Sequence, residues 1–298
     1  MATINYTQSI FLQEALQAFV ATLQPLTAFS RSFSGVTAQK GSAIIVPRVE
    51  ALTSTTFSYA ANSSRPYEAG GGTINSITVN LDQHRYVTAD ITDIQAANQS
   101  PAIMINFARQ QAKSLAKMVL QDLFANFTTV NYGLGVVSAV IAQVSLAAIR
   151  TGRTVVIKRD VMPESVILNA DAYASLLADA NMTQAFQYGG SEAVREAKLP
   201  RVLGMSVHET NVLPINGISL VGLLVHPDAL AIAVRSLQPQ RPEAYDKFEV
   251  LTDDESGISM GYREYFEPAT GKLYSAMECL FGSAVGLSLG LGLIQRTD

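Results

Sequence analysis

The feature that most limits the fold of this chain is a long extended stretch between residues 41 and 99. It contains no lysine, and its two halves flank a turn-rich tip at 62–72. The return half alternates in polarity, with Ile77, Val79 and Leu81 on one side. We therefore expect a two-stranded β-ribbon. An isolated ribbon is only marginally stable in water. No other segment looks long enough to cover it, so the sequence predicts that neighbouring copies do.

Helices are predicted on either side of this ribbon. Residues 8–26 carry apolar side chains at helical spacing, and Pro25 ends the pattern. A polar, serine-rich stretch follows, which favours a helix on an N-terminal arm. The alternative is an ordinary core helix. Ser100 and Pro101 suit the N-cap and first position of a second helix, whose apolar stripe continues to Phe127. At 1.5 Å per residue it would be roughly 40 Å long, which makes it a spine.

The second half of the chain alternates predicted helices and strands. A loop at 128–135 leads into a very apolar predicted helix at 136–150. Two further helices are predicted, one at 171–180 with Asn169 as its cap and one at 228–237. The predicted strands lie at 154–158, 165–168, 202–207, 218–225, 248–251, 258–266 and 272–281.

The composition points to extensive burial between subunits. Only 15% of the residues are charged and 48% are hydrophobic, whereas soluble domains average about 25% charged residues. The longest late apolar run, 283–294, is shorter than the roughly 20 residues that cross a bilayer. The net charge of −4 argues against a dedicated nucleic-acid-binding surface, although not against a wall that encloses nucleic acid. Cys279 is the only cysteine, which predicts a reducing, cytosolic compartment.

Two short motifs suggest enzymes. Gly257, Ser259 and Gly261 match the G-x-S-x-G elbow of hydrolases, but a strand is predicted after the serine where the elbow needs a helix. Gly133 and Gly135 approach the dinucleotide fingerprint, with a helix predicted next and a weak, polar strand before. The alternative to nucleotide binding is a flexible joint between two helices.

No metal or cofactor is predicted. The three histidines, His84, His208 and His226, lack metal-ligand spacing, and His226 is expected to start a helix or pack. The acidic run 253–255 is expected to be a solvated turn, because calcium needs more oxygen ligands than three adjacent carboxylates can aim at one point.

The order of elements resembles one family, the major capsid proteins of tailed bacteriophages, whose fold is named after phage HK97. The local sequences that carry this resemblance are GSAIIVP at 41–47, PESVILN at 163–169, VHPDALA at 225–231 and the closing pattern from Gly261 to Gly282. The resemblance covers nearly the whole chain. It implies an α+β fold with an N-terminal arm, an extended E-loop, a long spine helix, and peripheral and axial domains.

The resemblance also implies domain boundaries. The arm would occupy 1–36 and the E-loop 37–99. The peripheral domain would combine 100–135 with 236–282, and the axial domain would combine 136–235 with 283–298.

Hexamers and pentamers of this unit are expected to tile an icosahedral shell around double-stranded DNA, in a virion assembled in the host cytoplasm. The expected partners are copies of the chain itself, a portal protein, a separate scaffolding protein and possibly a cementing protein, with no membrane. Some members cross-link a loop lysine to a neighbour, but no lysine lies between Lys40 and Lys113. Stability is therefore expected from non-covalent contacts.

Nine residues are candidates for contacts between subunits. Charged side chains on the ribbon could form salt bridges that set register. An aromatic side chain there and apolar side chains on the first helix are further contact candidates. They are Arg65, Tyr67, Glu68, Arg85, Asp90, Asp93, Ile10, Leu16 and Phe19. Two other functions remain open at this stage, namely an encapsulin-like compartment shell of the same fold and a nucleotide-binding enzyme that uses Gly133 and Gly135.

Overall fold

The structure is a computed structural model. It describes the chain except at a few internal segments and the two ends. The described residues are 2–49, 74–92, 101–133, 135, 137–139, 144–179, 201–213, 220–237, 239–254 and 256–296.

Two long helices lie side by side. Helix α1 spans Ala2–Thr22 and helix α2 spans Pro101–Phe124, and both are longer than the 11 or 12 residues of an average helix. They pack through apolar stripes, and the ion pair between Arg109 and Glu14 links their polar edges at 2.7 Å. The predicted spine helix is therefore confirmed, although it ends three residues before Phe127.

Among the described residues, three shorter helices follow, and each begins at a side-chain cap. Helix α3 spans Thr129–Tyr132, α4 spans Leu146–Ile157 and α5 spans Ala170–Leu177. The Asn169 side-chain oxygen accepts a hydrogen bond from the Ala172 amide at 2.8 Å, which confirms the predicted cap.

Fourteen strands are found in the part of the chain that the structure describes. In chain order, β1 to β14, they are Ser30–Ala38, Ala43–Val49, Ile74–Asn80, Gln83–Thr92, Val137–Ala139, Ser165–Leu168, Arg201–Val202, Met205–Glu209, Leu220–Val225, Leu230–Leu237, Lys247–Thr252, Ser259–Glu267, Lys272–Val285 and Leu291–Arg296.

The first sheet is built around β13. Its strand order is β1-β10-β13-β12-β11, and β4 pairs with β13 as well. Strand β1 is parallel to β10, while β13 is antiparallel to β4, β10 and β12. Helix α2 packs on β4 and β13. The Gln111 side-chain nitrogen on this helix donates to the Val87 carbonyl at 2.7 Å and to the Ser275 carbonyl at 3.1 Å.

The second sheet has the order β5-β14-β9-β6-β8-β7. Its central strands, β6 and β9, are buried along their whole length, as the continuous apolar runs predict. Helices α4 and α5 contribute Ile149, Val156 and Leu176 to the apolar cluster beside it. The main core is formed by α1, α2 and the first sheet, and it extends to Ile167 and Leu223 of the second sheet.

Three predicted elements are wrong. Residues 154–158, predicted as a strand, lie in and just after α4, and the predicted helix at 136–150 contains β5 followed by the start of α4. Residues 228–237, predicted as a helix, form a short 3-10 turn at Pro227–Ala229 and then β10. Short apolar runs fit a buried strand and a buried helix equally well. Here the elements that pack against each segment decided its conformation.

The ribbon is also less independent than the sequence suggests. Its last part, β4, runs antiparallel to β13 from Thr92 opposite Lys272 to Gln83 opposite Phe281. The expectation that no segment of this chain covers the stretch is therefore wrong for residues 83–92. The free hairpin consists of β2 and β3, which form a separate two-stranded sheet.

Candidate assembly interface

The hairpin of β2 and β3 rests on the body at its base. The strands pair from Ala43 opposite Asn80 to Val49 opposite Ile74. One face packs on the first sheet, where Val79 and Leu81 are fully buried against residues such as Ala233. The other face points away, and Ile45 there is 65% exposed. The subunit thus holds the base of the ribbon and leaves its outer face uncovered.

A glycine allows this close crossing. A Cβ atom at Gly282 in β13 would lie 2.0 Å from the Asn80 carbonyl oxygen. Backbone–backbone contact of this kind leaves no space for a side chain. Gly286 makes a similar crossing, because its Cβ would lie 2.2 Å from the Asp228 carbonyl oxygen. These contacts fix the position from which the ribbon leaves the body.

Two predicted contact residues form ion pairs within the subunit. Arg85 donates two hydrogen bonds to the Asp122 carboxylate on α2, at 2.6 and 3.0 Å. That hydrogen bond and the Asp122 charge raise the pKa of Arg85 above its ordinary value. Asp90 accepts from the Lys272 ammonium at 2.7 Å, and this bond lowers the pKa of Asp90.

The predicted contact residues on α1 differ in how deeply their side chains are buried. Phe19 is fully buried, and Leu16 is partly buried against the same core. Phe19 therefore packs in the core of its own subunit. The side chain of Ile10 lies outside the described residues, as do Arg65, Tyr67, Glu68 and Asp93. The intersubunit roles of these five residues stay predictions.

A buried ionic cluster, which the sequence analysis missed, lies beside the strand that carries Arg85. One oxygen of Glu278 accepts from the Arg263 Nε at 2.7 Å, and the other lies 3.1 Å from the His84 Nε2. Arg263 also donates to the Tyr245 hydroxyl at 2.9 Å. The side chains of Glu278 and Arg263 are only 5% and 13% exposed. The signal in the sequence is Glu278, the only charged residue of β13 after Lys272, which stands among apolar neighbours.

An exposed aromatic cluster at the end of the β12–β13 hairpin was also missed. The Tyr265 and Tyr274 rings stack at 5.2 Å, and Tyr245 meets Tyr265 edge-on at 6.4 Å. Phe266, beside them, is 43% exposed. Cross-strand aromatic pairs stabilise a hairpin, and exposed rings are common in protein interfaces.

Neither enzyme motif has the geometry that its chemistry needs. Ser259 is fully buried at the start of β12, so no helix follows it. The fingerprint of Gly133 and Gly135 requires a preceding strand and a following helix. The structure has helix α3 before it and strand β5 after it. A side chain at Gly135 would also meet the Gln295 side chain.

The described residues include neither a cluster of metal-binding side chains nor a helix that could span a membrane. That part of the chain contains no group of three or more His, Cys, Asp or Glu side chains placed to hold a metal. None of the described helices is both long and apolar enough to cross a bilayer. His226 caps the turn Pro227–Ala229, because its Nδ1 accepts from the Asp228 amide at 3.2 Å. This confirms its predicted place at the start of a helical turn.

Comparison with known proteins identifies the fold. No protein-family model matches the chain, and no curated protein matches it. Solved structures do match. The capsid structure of cyanophage P-SCSP1u has a TM-score of 0.58 at 13% identity over 91% of this chain and 87% of that one. The mature capsid of bacteriophage PhiM1 gives 0.55 at 11% identity, over 90% and 86%. A protein of Mycobacterium phage Che8 gives 0.54 at 17%, over 88% and 92%. The chain therefore has the HK97-like fold of phage capsids.

Proposed function

We propose that this chain is a major capsid protein of a tailed bacteriophage, a non-enzymatic coat subunit that assembles into the hexamers and pentamers of an icosahedral head around double-stranded DNA. The observation that carries the proposal is the likeness to capsid structures over about nine tenths of both chains. The likeness at this level of identity concerns the fold, so the function rests on the fold together with the surface described above.

The projecting hairpin supports assembly on physical grounds. A two-stranded ribbon needs a further layer to be stable, and the body covers only one face of its base. Burying the other face against a neighbour would contribute about 2.5 kcal/mol per 100 Å² of apolar surface, before the cost of ordering both partners. Repeated around a ring, such a contact closes an oligomer.

The proposed partners follow from the same role. Portal, scaffolding and cementing proteins would meet the assembled shell, which forms in the host cytoplasm. The proposed domains keep the boundaries given above, although those at 36/37, 235/236 and 282/283 fall inside β1, β10 and β13, which all belong to the first sheet. Because the ribbon contains no lysine, contacts between subunits would be non-covalent.

Electron microscopy of the purified full-length protein, combined with absorbance at 260 and 280 nm, tests the proposal. We expect closed shells from the protein alone or with a scaffold, and DNA-filled heads from infected cells. Small shells filled with protein would instead identify an encapsulin-like compartment. Soluble small oligomers that never form shells would contradict both.

A further inference from the structure

Helix α4 and the turn after it concentrate positive charge. Four cationic residues lie within ten positions, and no acidic residue occurs between Asp122 and Asp160. They are Arg150, Arg153, Lys158 and Arg159. In a chain of net charge −4, an acid-free stretch of this length is a local excess of positive charge.

These cations share the outer side of the helix. Ile149, Gly152 and Val156 form the buried side. At about 100° per residue, Arg150, Arg153 and the C-cap residue Lys158 span about 140° of the remaining circumference, and Arg159 lies in the turn after the helix. Arg150 and Lys158 are exposed, whereas Arg153 and Arg159 are half-buried. The apolar side anchors α4 on the second sheet and leaves the basic side available.

The four cations have no ionic partner among the described residues. The ion pairs of that part of the chain all involve other residues. Arg153 Nε and Arg159 Nη1 are moreover buried donors without an acceptor. The exposed cations Arg150 and Lys158 are therefore the ones that an anionic ligand can reach directly.

We infer that the basic side of α4 binds the phosphate backbone of double-stranded DNA. The inference rests on the proposed capsid function, which supplies DNA as the enclosed polymer. An acidic protein partner is less suited, because protein interfaces interleave both signs of charge, whereas a cluster of cations matches a polyanion. The net negative charge of the whole chain does not oppose this, since salt screens charges beyond about 10 Å.

The binding is weak for each copy and independent of sequence. Arg150 and Lys158 are eight residues apart, or about 12 Å along the helix, and duplex DNA carries one charge per about 1.7 Å of axis. Contacts to phosphate position a protein without reading bases. Many copies facing one DNA molecule would add their small contributions through effective concentration.

The test compares two variants of equal charge change. The double variant Arg150→Gln/Lys158→Gln neutralises the two exposed cations, one in α4 and one at its C-cap. The matched control, Lys113→Gln/Lys117→Gln, neutralises two exposed lysines of α2. Binding of the full-length protein to a short labelled duplex is measured by fluorescence anisotropy at several salt concentrations. Each lost phosphate contact lowers the slope of log K against log salt by about 0.9, so we expect the α4 variant to lose about 1.8 and the control to keep the wild-type slope.

Several results would overturn the inference that α4 binds DNA. The inference would be overturned if the slope of log K against log salt were equal in all three proteins, or if both variants lost the same amount of it. It would also be overturned if the wild-type protein did not bind the duplex. Tighter binding of polyglutamate than of DNA at the same salt would assign the surface to an acidic protein and overturn it too. If the double variant fails to fold by circular dichroism, the single Lys158→Gln should still lose about 0.9. Shell formation is scored separately by electron microscopy, so a failure of the capsid proposal is visible independently of the slope.

Discussion

At the scale of single residues, the cluster around Glu278 differs from the surface ion pairs in how much its loss should matter. Glu278 balances Arg263 where both are nearly excluded from water, whereas Arg85 and Asp122 pair at the surface. Water and salt already stabilise exposed charges, so an exposed pair contributes little. A buried charge that loses its partner has no such compensation.

We expect Glu278→Gln to lower the free energy of unfolding by about 3 kcal/mol, because it leaves the Arg263 guanidinium buried without a counter-charge. Urea unfolding of the unassembled subunit measures this. Arg85→Gln, the control at the exposed pair, should cost less than about 1 kcal/mol. Equal costs for the two variants would show that the Glu278 site is as well hydrated as the surface.

His208 in β8 should make the subunit sensitive to mild acid. Burial lowers the pKa of His208 below its ordinary 6.5, so below about pH 6.5 the unfolded chain binds a proton that the folded chain resists. The contribution of neutral His208 to the free energy of unfolding is fully present above about pH 6.5. It is lost as the pH falls through the pKa of the folded state. We expect His208→Gln to flatten the acid side of the stability curve. Parallel wild-type and variant curves between pH 7 and about 5 would contradict this.

At the scale of elements, the base of the ribbon is held by the crossing of β3 over β13. The crossing depends on backbone contact at Gly282, and the apolar face of the hairpin completes a small core with β10 and β13. The element therefore has two parts with different requirements, a base that the subunit covers and an outer face that it does not.

Gly282→Ala should separate the ribbon from the body. The new methyl group would meet the Asn80 carbonyl oxygen, and we expect a loss of about 1–3 kcal/mol from overpacking. Protection of the β3 amides in hydrogen exchange should fall with it. The control is Gly290→Ala, where the nearest atom would lie at 3.3 Å and small shifts can make room. If the two variants behave alike, the crossing is not what holds the ribbon.

At the scale of the whole molecule, the subunit joins a well-packed body to an extension that it covers incompletely. The core is continuous from α1 and α2 through both sheets, so the body has a hydrophobic core of its own. The uncovered hairpin face and the exposed aromatic rings beside the β12–β13 turn are the surfaces available to other copies.

Deleting residues 62–72 should leave a folded subunit that assembles poorly. The deletion removes part of the proposed contact with a neighbour and keeps all of the described residues that form the core. Circular dichroism measures folding, and analytical ultracentrifugation measures assembly. The control replaces the same residues with a flexible Gly/Ser linker of equal length, which should also assemble poorly if specific contacts matter. Normal shells from the deletion variant would show that this part of the ribbon is dispensable.

The sequence by itself determined the elements whose signals are local and long. The 24-residue spine helix, the Asn169 cap and the β12–β13 hairpin with its turn all follow from periodicity, capping chemistry and turn residues that act within a few positions. The colinear order of these elements was enough to indicate the capsid fold. Only the tertiary structure decided that 230–237 is a strand, that 154–157 is helical and that β4 belongs to the body. Those segments are short, apolar or ambiguous, and their conformation is set by partners far away in sequence, such as β13 for both β4 and β10.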